Sequence, residues 1–275
     1  MDLPEWMRHL TYHPIPVKVA RLLRINRFLR DLYCRVAWSK GSKKSLSFGK
    51  NNAQFYVNSP LELRILEAVV EKGIGEHFVL TKLLHALLQG DVAYDIGASL
   101  GTHTIFMAKM VGEKGAIIAF EPEAESYATL KANISLNGLK NVLPINSALG
   151  DCFEEARLYS YGGGFGSFNL AGYGEVTRGE NIEIVPGDHL VQIKKLPIPK
   201  VVKIDVEGYE FSVIRGLQKT LSDRTCQMVC CEIHPHLLPK EINAQMVITL
   251  LKSYGFGQIE DHPRGETSHL FCYKG

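Results

Sequence analysis

From residue 92 onward, short apolar runs alternate with longer stretches in which apolar residues recur every three to four positions. Runs of the first kind predict buried strands, and stretches of the second kind predict helices. In chain order the pattern predicts strands over 92–95, 116–120 and 142–147, with helices over 102–111 and 124–136 between them. Strands that alternate with helices pair in parallel through right-handed crossovers. We therefore expect an α/β fold, a mostly parallel sheet with helices on both faces.

The residues before this region follow a different pattern. A short strand is predicted over 55–57, a helix begins at Ser59, and a second helix covers 76–88. Residues 42–50 are rich in Ser, Gly and Lys, a composition typical of a linker. We therefore divide the chain into a helical N-terminal extension with its linker, residues 1–75, and a main domain, residues 76–275.

Charge is concentrated in the extension, although the whole chain carries only +2. The segment 17–40 has a net charge of +6, and its arginines take one side of a helical wheel while apolar residues take the other. A basic amphipathic helix can lie on an anionic membrane surface, or it can dock on its own domain with a solvated basic face. Aromatic residues of the kind that stack on bases are sparse there, so we do not expect a nucleic-acid partner.

Composition otherwise describes an ordinary globular chain of 275 residues with 45% hydrophobic and 22% charged residues. No apolar run approaches the length of a membrane span, and residues 1–5 do not resemble a secretory signal, so we expect a cytoplasmic protein. The six cysteines form no C-x-x-C pair, which predicts buried thiols without a zinc site or a disulfide framework. They are Cys34, Cys152, Cys226, Cys230, Cys231 and Cys272.

The first candidate site lies at the end of the strand over 92–95. Asp95 closes the apolar run, and Gly97 and Gly101 follow before the next helix. Glycines allow a tight turn against a ligand, and the free N–H groups of the helix start face that ligand. Glu121 ends the neighbouring strand, where an acid can bind both hydroxyls of a ribose. The combination predicts a site for a cofactor that contains a nucleoside.

The residues between the two glycines indicate which cofactor this is. Ala98, Ser99 and Leu100 fill the interval, so the middle glycine that lets a pyrophosphate approach the backbone is missing. Asp95 would repel a pyrophosphate but suits the ammonium of an amino acid. S-adenosylmethionine carries an ammonium, a ribose and a sulfonium but no phosphate. We therefore predict S-adenosylmethionine.

A second set of acids follows two later strands. Asp205 and Glu207 come directly after the apolar run at 201–204, and Glu232 and His234 come after the run at 227–231. Ligands of open parallel sheets bind outside the carboxyl ends of the strands. We therefore expect these side chains to face the same crevice as Asp95 and Glu121.

A glycine-rich segment separates the two sets of acids. A strand is predicted over 157–161, and seven glycines occur between residues 162 and 179 together with Phe165, Phe168 and Tyr173. A long glycine-rich insertion between sheet strands is typical of a substrate lid, although it could also be a surface excursion.

The motifs together resemble the FkbM family of S-adenosylmethionine-dependent methyltransferases from about Glu76 to Leu270. The matching segments are Asp95–Gly101, Phe120–Pro122, Leu130–Gly138, Lys203–Glu210 and Glu232–Pro235. The resemblance implies a Rossmann-like seven-stranded sheet and methyl transfer, commonly to a hydroxyl of a sugar, glycolipid or natural product. The sequence departs from the family at Ser99, where Asn is frequent, and Ala148 replaces an acid that other methyltransferases use for adenine.

The resemblance assigns Asp95, Gly97, Gly101 and Glu121 to the cofactor and places Asp205 and Glu207 in the reaction crevice. An alcohol needs a base before it can attack, and our candidates are Asp205 first and His234 second. A magnesium ion held by Asp205, Glu207 and Glu232 could instead activate the hydroxyl.

The acceptor is expected to be a small molecule or a glycan. A nicotinamide-dependent oxidoreductase and a non-catalytic cofactor-binding protein remain the alternatives to a methyltransferase.

Overall fold

The computed structural model describes residues 32, 34–36, 42–70, 75–161, 168–169 and 176–275. The chain divides into two compact units, Met1–Phe78 and Val79–Gly275. Almost all of the predicted basic helix over 17–40 lies outside the described residues, so that helix stays a prediction. No helix among the described residues is long and apolar enough to cross a membrane.

The first unit contains a hairpin where we predicted a linker. Strands β1 (Ser42–Phe48) and β2 (Asn51–Val57) pair antiparallel. The prediction over 42–50 was wrong because the polar residues there alternate with inward-facing positions such as Leu46, which is buried. Gly49, with φ +58°, lies in the two-residue turn and takes a left-handed conformation that suits such a hairpin.

Helix α1 (Pro60–Val70) follows the hairpin and begins where the sequence predicts. The Ser59 hydroxyl accepts a hydrogen bond from the Glu62 N–H at 3.1 Å, which is the bond expected of an N-cap serine. Helix α2 (Gly75–Ala86) spans the boundary between the two units.

The second unit begins with the predicted alternation of strands and helices. Its elements are β3 (Val92–Ile96), α3 (Thr102–Val111), β4 (Ala116–Phe120), α4 (Ala124–Leu136) and β5 (Val142–Ile145). Strand β5 ends two residues before the predicted position. The Asn146 side chain turns the chain there, since it donates to the carbonyl oxygens of Glu121 and Pro122 at 2.8 and 2.9 Å.

A second sheet follows that the sequence did not predict as a sheet. It consists of β6 (Ala148–Gly150), β7 (Glu154–Tyr161), β8 (Phe168–Asn169) and β9 (Val176–Pro186), in the spatial order β6-β9-β7-β8. Strand β7 contains the strand predicted over 157–161. Residues 162–167 and 170–175 lie outside the described residues, so the predicted lid stays a prediction.

The chain then returns to the main sheet. The remaining elements are α5 (Gly187–Lys194), β10 (Val201–Ile204), α6 (Glu210–Gly216), α7 (Gln218–Ser222), β11 (Met228–Ile233), α8 (Ala244–Ser253), β12 (Gln258–Arg264) and β13 (Thr267–Tyr273). Helices α6 and α7 are separated only by Leu217. Gly216 packs there against the backbone of Gly150, and a side chain at this position would overlap that carbonyl group.

The main sheet has seven strands in the order β12-β13-β11-β10-β3-β4-β5, and β13 alone runs opposite to the other six. This confirms the predicted Rossmann-like, mostly parallel sheet. Its core is built from fully buried side chains such as Tyr94, Phe120, Ile204 and Val229. Successive strands β3, β4 and β5 extend in one direction, while β10 pairs on the other side of β3. This reversal places a crevice at the carboxyl ends of β3 and β10.

The six cysteines are free thiols, as predicted. Five of them are buried, but Cys152 is exposed, which corrects the expectation that all six are buried.

Candidate active site

A cavity at the carboxyl ends of β3, β4 and β10 brings together residues from both candidate sites. It is lined by Gly97, Ser99 and Glu121 from the first candidate site and by Asp205 and Glu207 from the second. The remaining wall is mainly apolar and includes Leu149, Leu158, Ile182 and Tyr209, so the unpredicted second sheet contributes to the cavity.

The glycine turn after β3 has the strained geometry that the sequence suggests. Gly97 and Gly101 have φ values of +79° and +90°, in the left-handed region that favours glycine. A Cβ on Gly97 would overlap the carbonyl oxygen of Asp205, and one on Gly101 would lie 2.5 Å from the Leu130 side chain. Gly97 faces the cavity, whereas Gly101 serves the packing of the turn.

Glu121 is held at the cavity wall by two backbone groups. Its Oε2 accepts from the Ser99 N–H at 2.7 Å, and its Oε1 accepts from the Glu123 N–H at 2.9 Å. Burial raises the pKa of Glu121 to about 7, although the two N–H groups oppose this rise. An ionised carboxylate has about four acceptor positions. Each oxygen of Glu121 therefore keeps capacity for a ligand hydroxyl.

Asp95 lies behind the turn and not at the cavity wall. It is fully buried, its Oδ2 accepts from the Thr104 hydroxyl at 2.5 Å, and its Oδ1 lies 3.6 Å from Lys203 Nζ. Burial raises its pKa, and Lys203 opposes that rise. In this arrangement Asp95 contacts the helix and the neighbouring strand. A direct contact with a cofactor stays a prediction.

Asp205 and Glu207 both line the cavity but differ in their electrostatics. Lys203 Nζ lies 3.2 Å from Asp205 Oδ2. Burial would raise the pKa of Asp205, but Lys203 and His234 outweigh it and lower that pKa to about 2. Burial raises the pKa of Glu207 to about 8 against the opposing effect of His234. At neutral pH one carboxyl is ionised and the other is poised near its own pKa.

His234 lies just behind Glu207, between several carboxylates. Its Nδ1 is 2.8 Å from Glu210 Oε1, and its Nε2 is 3.6 Å from Glu207 Oε2 and 3.8 Å from Glu232 Oε1. Burial would lower the pKa of His234, but the carboxylates, Glu210 first, outweigh burial and raise it to about 10. His234 is buried and does not line the cavity.

Glu232 is paired on its far side. It lies 3.1 Å from His269 Nε2, and it accepts from the Thr267 hydroxyl at 2.9 Å. Among the described residues, Asp205, Glu232 and His234 offer ligand atoms within 4.8 Å of one another, so this group could hold a metal ion. Glu207, which we named as a ligand from the sequence, is not part of that group.

Comparison with known proteins identifies the family. A model described as the methyltransferase FkbM domain matches residues 95–257, more than half of the chain. The chain belongs to the FkbM methyltransferase family. This confirms the resemblance predicted from the motifs and supports S-adenosylmethionine as the cofactor. The nicotinamide-dependent and non-catalytic alternatives receive no support.

Two curated relatives are similar to this FkbM chain. The hexuronic acid methyltransferase AglP of Haloferax volcanii is 32% identical over 173 residues, which cover 61% of this chain and 66% of AglP, just under two thirds. Methyltransferase 1 of Beauveria bassiana is 24% identical over 198 residues, covering 65% of this chain and 77% of that protein. Among solved structures, Aeropyrum pernix fibrillarin with natively bound S-adenosyl-L-methionine aligns over 86% of this chain and 84% of its own. Its identity is 15% and its TM-score 0.47.

Three residues of the FkbM site were not recognised from the sequence. Glu210 lies within the matching segment Lys203–Glu210 but was given no role. Asn133 lies within the segment Leu130–Gly138, and it donates to the Leu100 carbonyl at 2.9 Å and so holds the glycine turn. His269 pairs with Glu232 through the antiparallel register of β11 and β13. The matching segments contain Glu210 and Asn133 and so pointed to both. No local sequence pattern predicts the register of β11 and β13 that brings His269 to Glu232.

Proposed function

We propose that this protein transfers the methyl group of S-adenosylmethionine to a hydroxyl group of a sugar, within a glycan, a glycolipid or a glycosylated natural product. One observation carries the proposal. A single cavity is lined both by a carboxylate suited to ribose, Glu121, and by a pair of acids suited to proton transfer, Asp205 and Glu207. We call these two parts of its wall the cofactor end and the acceptor end. The family membership of the chain supports the methyl transfer.

The cofactor end would bind the nucleoside through groups that need little rearrangement. Glu121 is already fixed by the backbone of Ser99 and Glu123, so its remaining lone pairs can accept from both ribose hydroxyls. The left-handed turn at Gly97 leaves backbone exposed to the cavity. Methyl transfer from a sulfonium is an in-line displacement, so positioning the two reactants supplies much of the rate.

At the acceptor end we assign proton removal to Glu207. A base works best when its pKa lies near the working pH, and the pKa of Glu207 is raised to about 8. The positive sulfonium of a bound cofactor would lower this pKa towards neutrality. Asp205, with its pKa lowered to about 2, is a weaker base. Its ionised oxygens suit it to accept a hydrogen bond from the acceptor hydroxyl and so to orient that group.

A metal mechanism is the alternative at this end. Asp205, Glu232 and His234 could supply ligands, and a divalent ion would lower the pKa of a bound hydroxyl. The charges argue against it, because Lys203 already neutralises Asp205 and His269 already pairs with Glu232. We therefore favour the base. Excess EDTA should leave turnover unchanged under this mechanism, and a loss that magnesium restores would favour the metal.

The acceptor class rests on the relatives and on the cavity. The name of AglP describes action on a hexuronic acid, a sugar that bears both hydroxyl groups and a carboxyl group. A carboxylate can attack the methyl group without losing a proton, whereas a hydroxyl requires a base. The pair of acids at the cavity wall therefore favours a hydroxyl acceptor. We do not expect nucleic acid as a partner.

The test is a methyl-transfer assay with purified protein on two matched oligosaccharides, one ending in a hexuronic acid and the other in the corresponding neutral hexose. S-adenosylhomocysteine release and the mass gain of one methylene unit report transfer. Mild alkali then separates the products, since a methyl ester is cleaved and a methyl ether survives. We expect an alkali-stable product. An alkali-labile product would identify a carboxylate acceptor and remove the need for Glu207 as a base.

We also propose a cytoplasmic location and a peripheral membrane contact, and both proposals rest on the sequence alone. The net charge of +6 over residues 17–40 supports a contact with anionic lipid. Cosedimentation with phosphatidylserine vesicles at low salt, lost when Arg24, Arg27, Arg30 and Arg35 become Gln, is the corresponding test.

A further inference from the structure

The residue that we assign as the base has an unusual backbone conformation. Glu207 has φ +51°, in the left-handed region that non-glycine residues rarely adopt. Such a conformation persists only where the surrounding structure imposes it, and it occurs preferentially at functional sites. The side chain of Glu207 is partly exposed and lines the cavity. The groups that impose its position are therefore of interest for the reaction.

Glu210 contacts both the turn and the imidazole behind it. It is fully buried, and its Oε1 accepts from the Gly208 N–H at 2.9 Å, in the peptide that directly follows Glu207. The same oxygen lies 2.8 Å from His234 Nδ1. Gly208 itself has φ +102° and packs against the backbone of Leu237, where a side chain would not fit. One buried carboxylate thus links the strained turn to the histidine.

His234 continues this chain of contacts to Glu207. With its Nδ1 directed to Glu210, the ring places Nε2 3.6 Å from Glu207 Oε2. Glu232 is the competing neighbour of Nε2 at 3.8 Å, but it is itself held by His269 and Thr267. The imidazole therefore lies next to the Glu207 carboxylate but does not itself line the cavity.

We propose that Glu210 and His234 are positioning residues that hold the Glu207 carboxylate at the cavity wall, and that His234 does not itself contact the acceptor. This inference rests on the proposed function, in which Glu207 removes the proton. It also revises the role that the sequence suggested for His234, which was that of the second candidate base. The imidazole, with a carboxylate facing each nitrogen, supports Glu207 by charge and by orientation.

A double-mutant cycle separates positioning from direct catalysis. We expect Glu210→Gln to lower kcat by about 100-fold, the scale of a misplaced reacting group, while the KM for both substrates changes by less than about twofold. In a Glu207→Gln background the same change should have almost no further effect, because residues that act through one another are not additive. Equal losses in both backgrounds would overturn the inference.

His234 is tested by two variants of different severity. His234→Gln keeps an amide donor near the position of Nε2, so it should retain more of kcat than His234→Ala. If the two variants lose the same activity, or if both raise the KM for the acceptor without changing kcat, His234 is not a support for Glu207.

Asp188→Asn is a matched control, because Asp188 also accepts from backbone N–H groups, those of Lys219 and Thr220, but does not line the cavity. Asp188→Asn should leave kcat unchanged while lowering stability about as much as Glu210→Gln does.

Imidazole NMR of His234 adds a measurement that needs no turnover. The Nδ1 resonance of His234, assigned from its loss in His234→Gln, should shift in Glu210→Gln. An unchanged resonance would contradict the contact between Glu210 and His234, even if no sugar acceptor is found. Absence of methyl transfer by the wild-type protein would instead contradict the proposed function.

Discussion

The two ends of the cavity hold their carboxylates by different means. At the cofactor end, the backbone N–H groups of Ser99 and Glu123 hold Glu121. At the acceptor end, the side chains of His234 and Lys203 surround Glu207 and Asp205. Backbone groups do not titrate and do not change with most substitutions. Under the proposed function, cofactor binding therefore depends mainly on the fold, whereas the chemistry depends on the charge of a few side chains.

A substitution at the contact between the two ends should break both together. In Gly97→Ala the new Cβ would overlap the Asp205 carbonyl oxygen, so we expect loss of both S-adenosylmethionine binding and turnover, with a much lower melting temperature. Gly138→Ala is the control. It shares a left-handed φ, +62°, but has open space around it, so its cost should be only about 1 kcal/mol. Similar melting temperatures for the two variants would show that the overlap is readily relieved.

Glu207→Gln should damage only the acceptor end. Removing a positioned base lowers kcat by roughly 10²–10⁴-fold, while the Kd for S-adenosylmethionine measured by calorimetry should hardly change. Asp205→Asn, also expected to spare cofactor binding, shows which carboxyl matters more for turnover. A larger fall in kcat for Asp205→Asn would make Asp205 the base, as the sequence first suggested.

Glu121→Ala should damage only the cofactor end. Loss of charge-assisted hydrogen bonds to the ribose, about 1.5–3 kcal/mol, predicts roughly 10- to 100-fold weaker S-adenosylmethionine binding. Turnover at saturating cofactor should fall far less than in Glu207→Gln. Unchanged affinity in a folded Glu121→Ala protein would contradict the assignment of the ribose to this residue.

The pH dependence of stability should be the smallest effect. Glu207 has its pKa raised from 4.5 to about 8, and His234 has its pKa raised from 6.5 to about 10. Relative to the unfolded state, the folded state therefore binds an extra proton at Glu207 between about pH 4.5 and 8, and at His234 between about pH 6.5 and 10. The stability that these two groups contribute should be lost as pH rises through 8 towards 10. Denaturant unfolding across this range should show a shallower fall in Glu207→Gln. An identical slope would mean that the Glu207 carboxyl keeps an ordinary pKa.

The sequence predicted most of the main sheet because its elements carry local signals. Helices α3 and α4 and strand β4 have the predicted bounds, and the glycine turn and Glu121 lie at the predicted edge. Ser99 and Glu207, both with left-handed φ, could not be recognised as strained from their residue types.

The unpredicted parts depend on pairings between distant residues. Strand β6 has only three residues and pairs with β9 more than thirty residues later. His269 reaches Glu232 only because β13 enters the sheet antiparallel to β11. Neither arrangement follows from the spacing of apolar residues along the chain, since each depends on which strand edges remain available for pairing.

The close contact of Gly97 with Asp205 has a consequence for protein engineering. Because the two loops touch backbone to backbone, neither can be exchanged alone for the loop of another family member without leaving a mismatch at their junction. A chimaera should therefore transplant both loops as a pair. The second sheet, strands β6 to β9, contributes Leu158 and Ile182 to the cavity lining and is the better place to alter which acceptors are admitted.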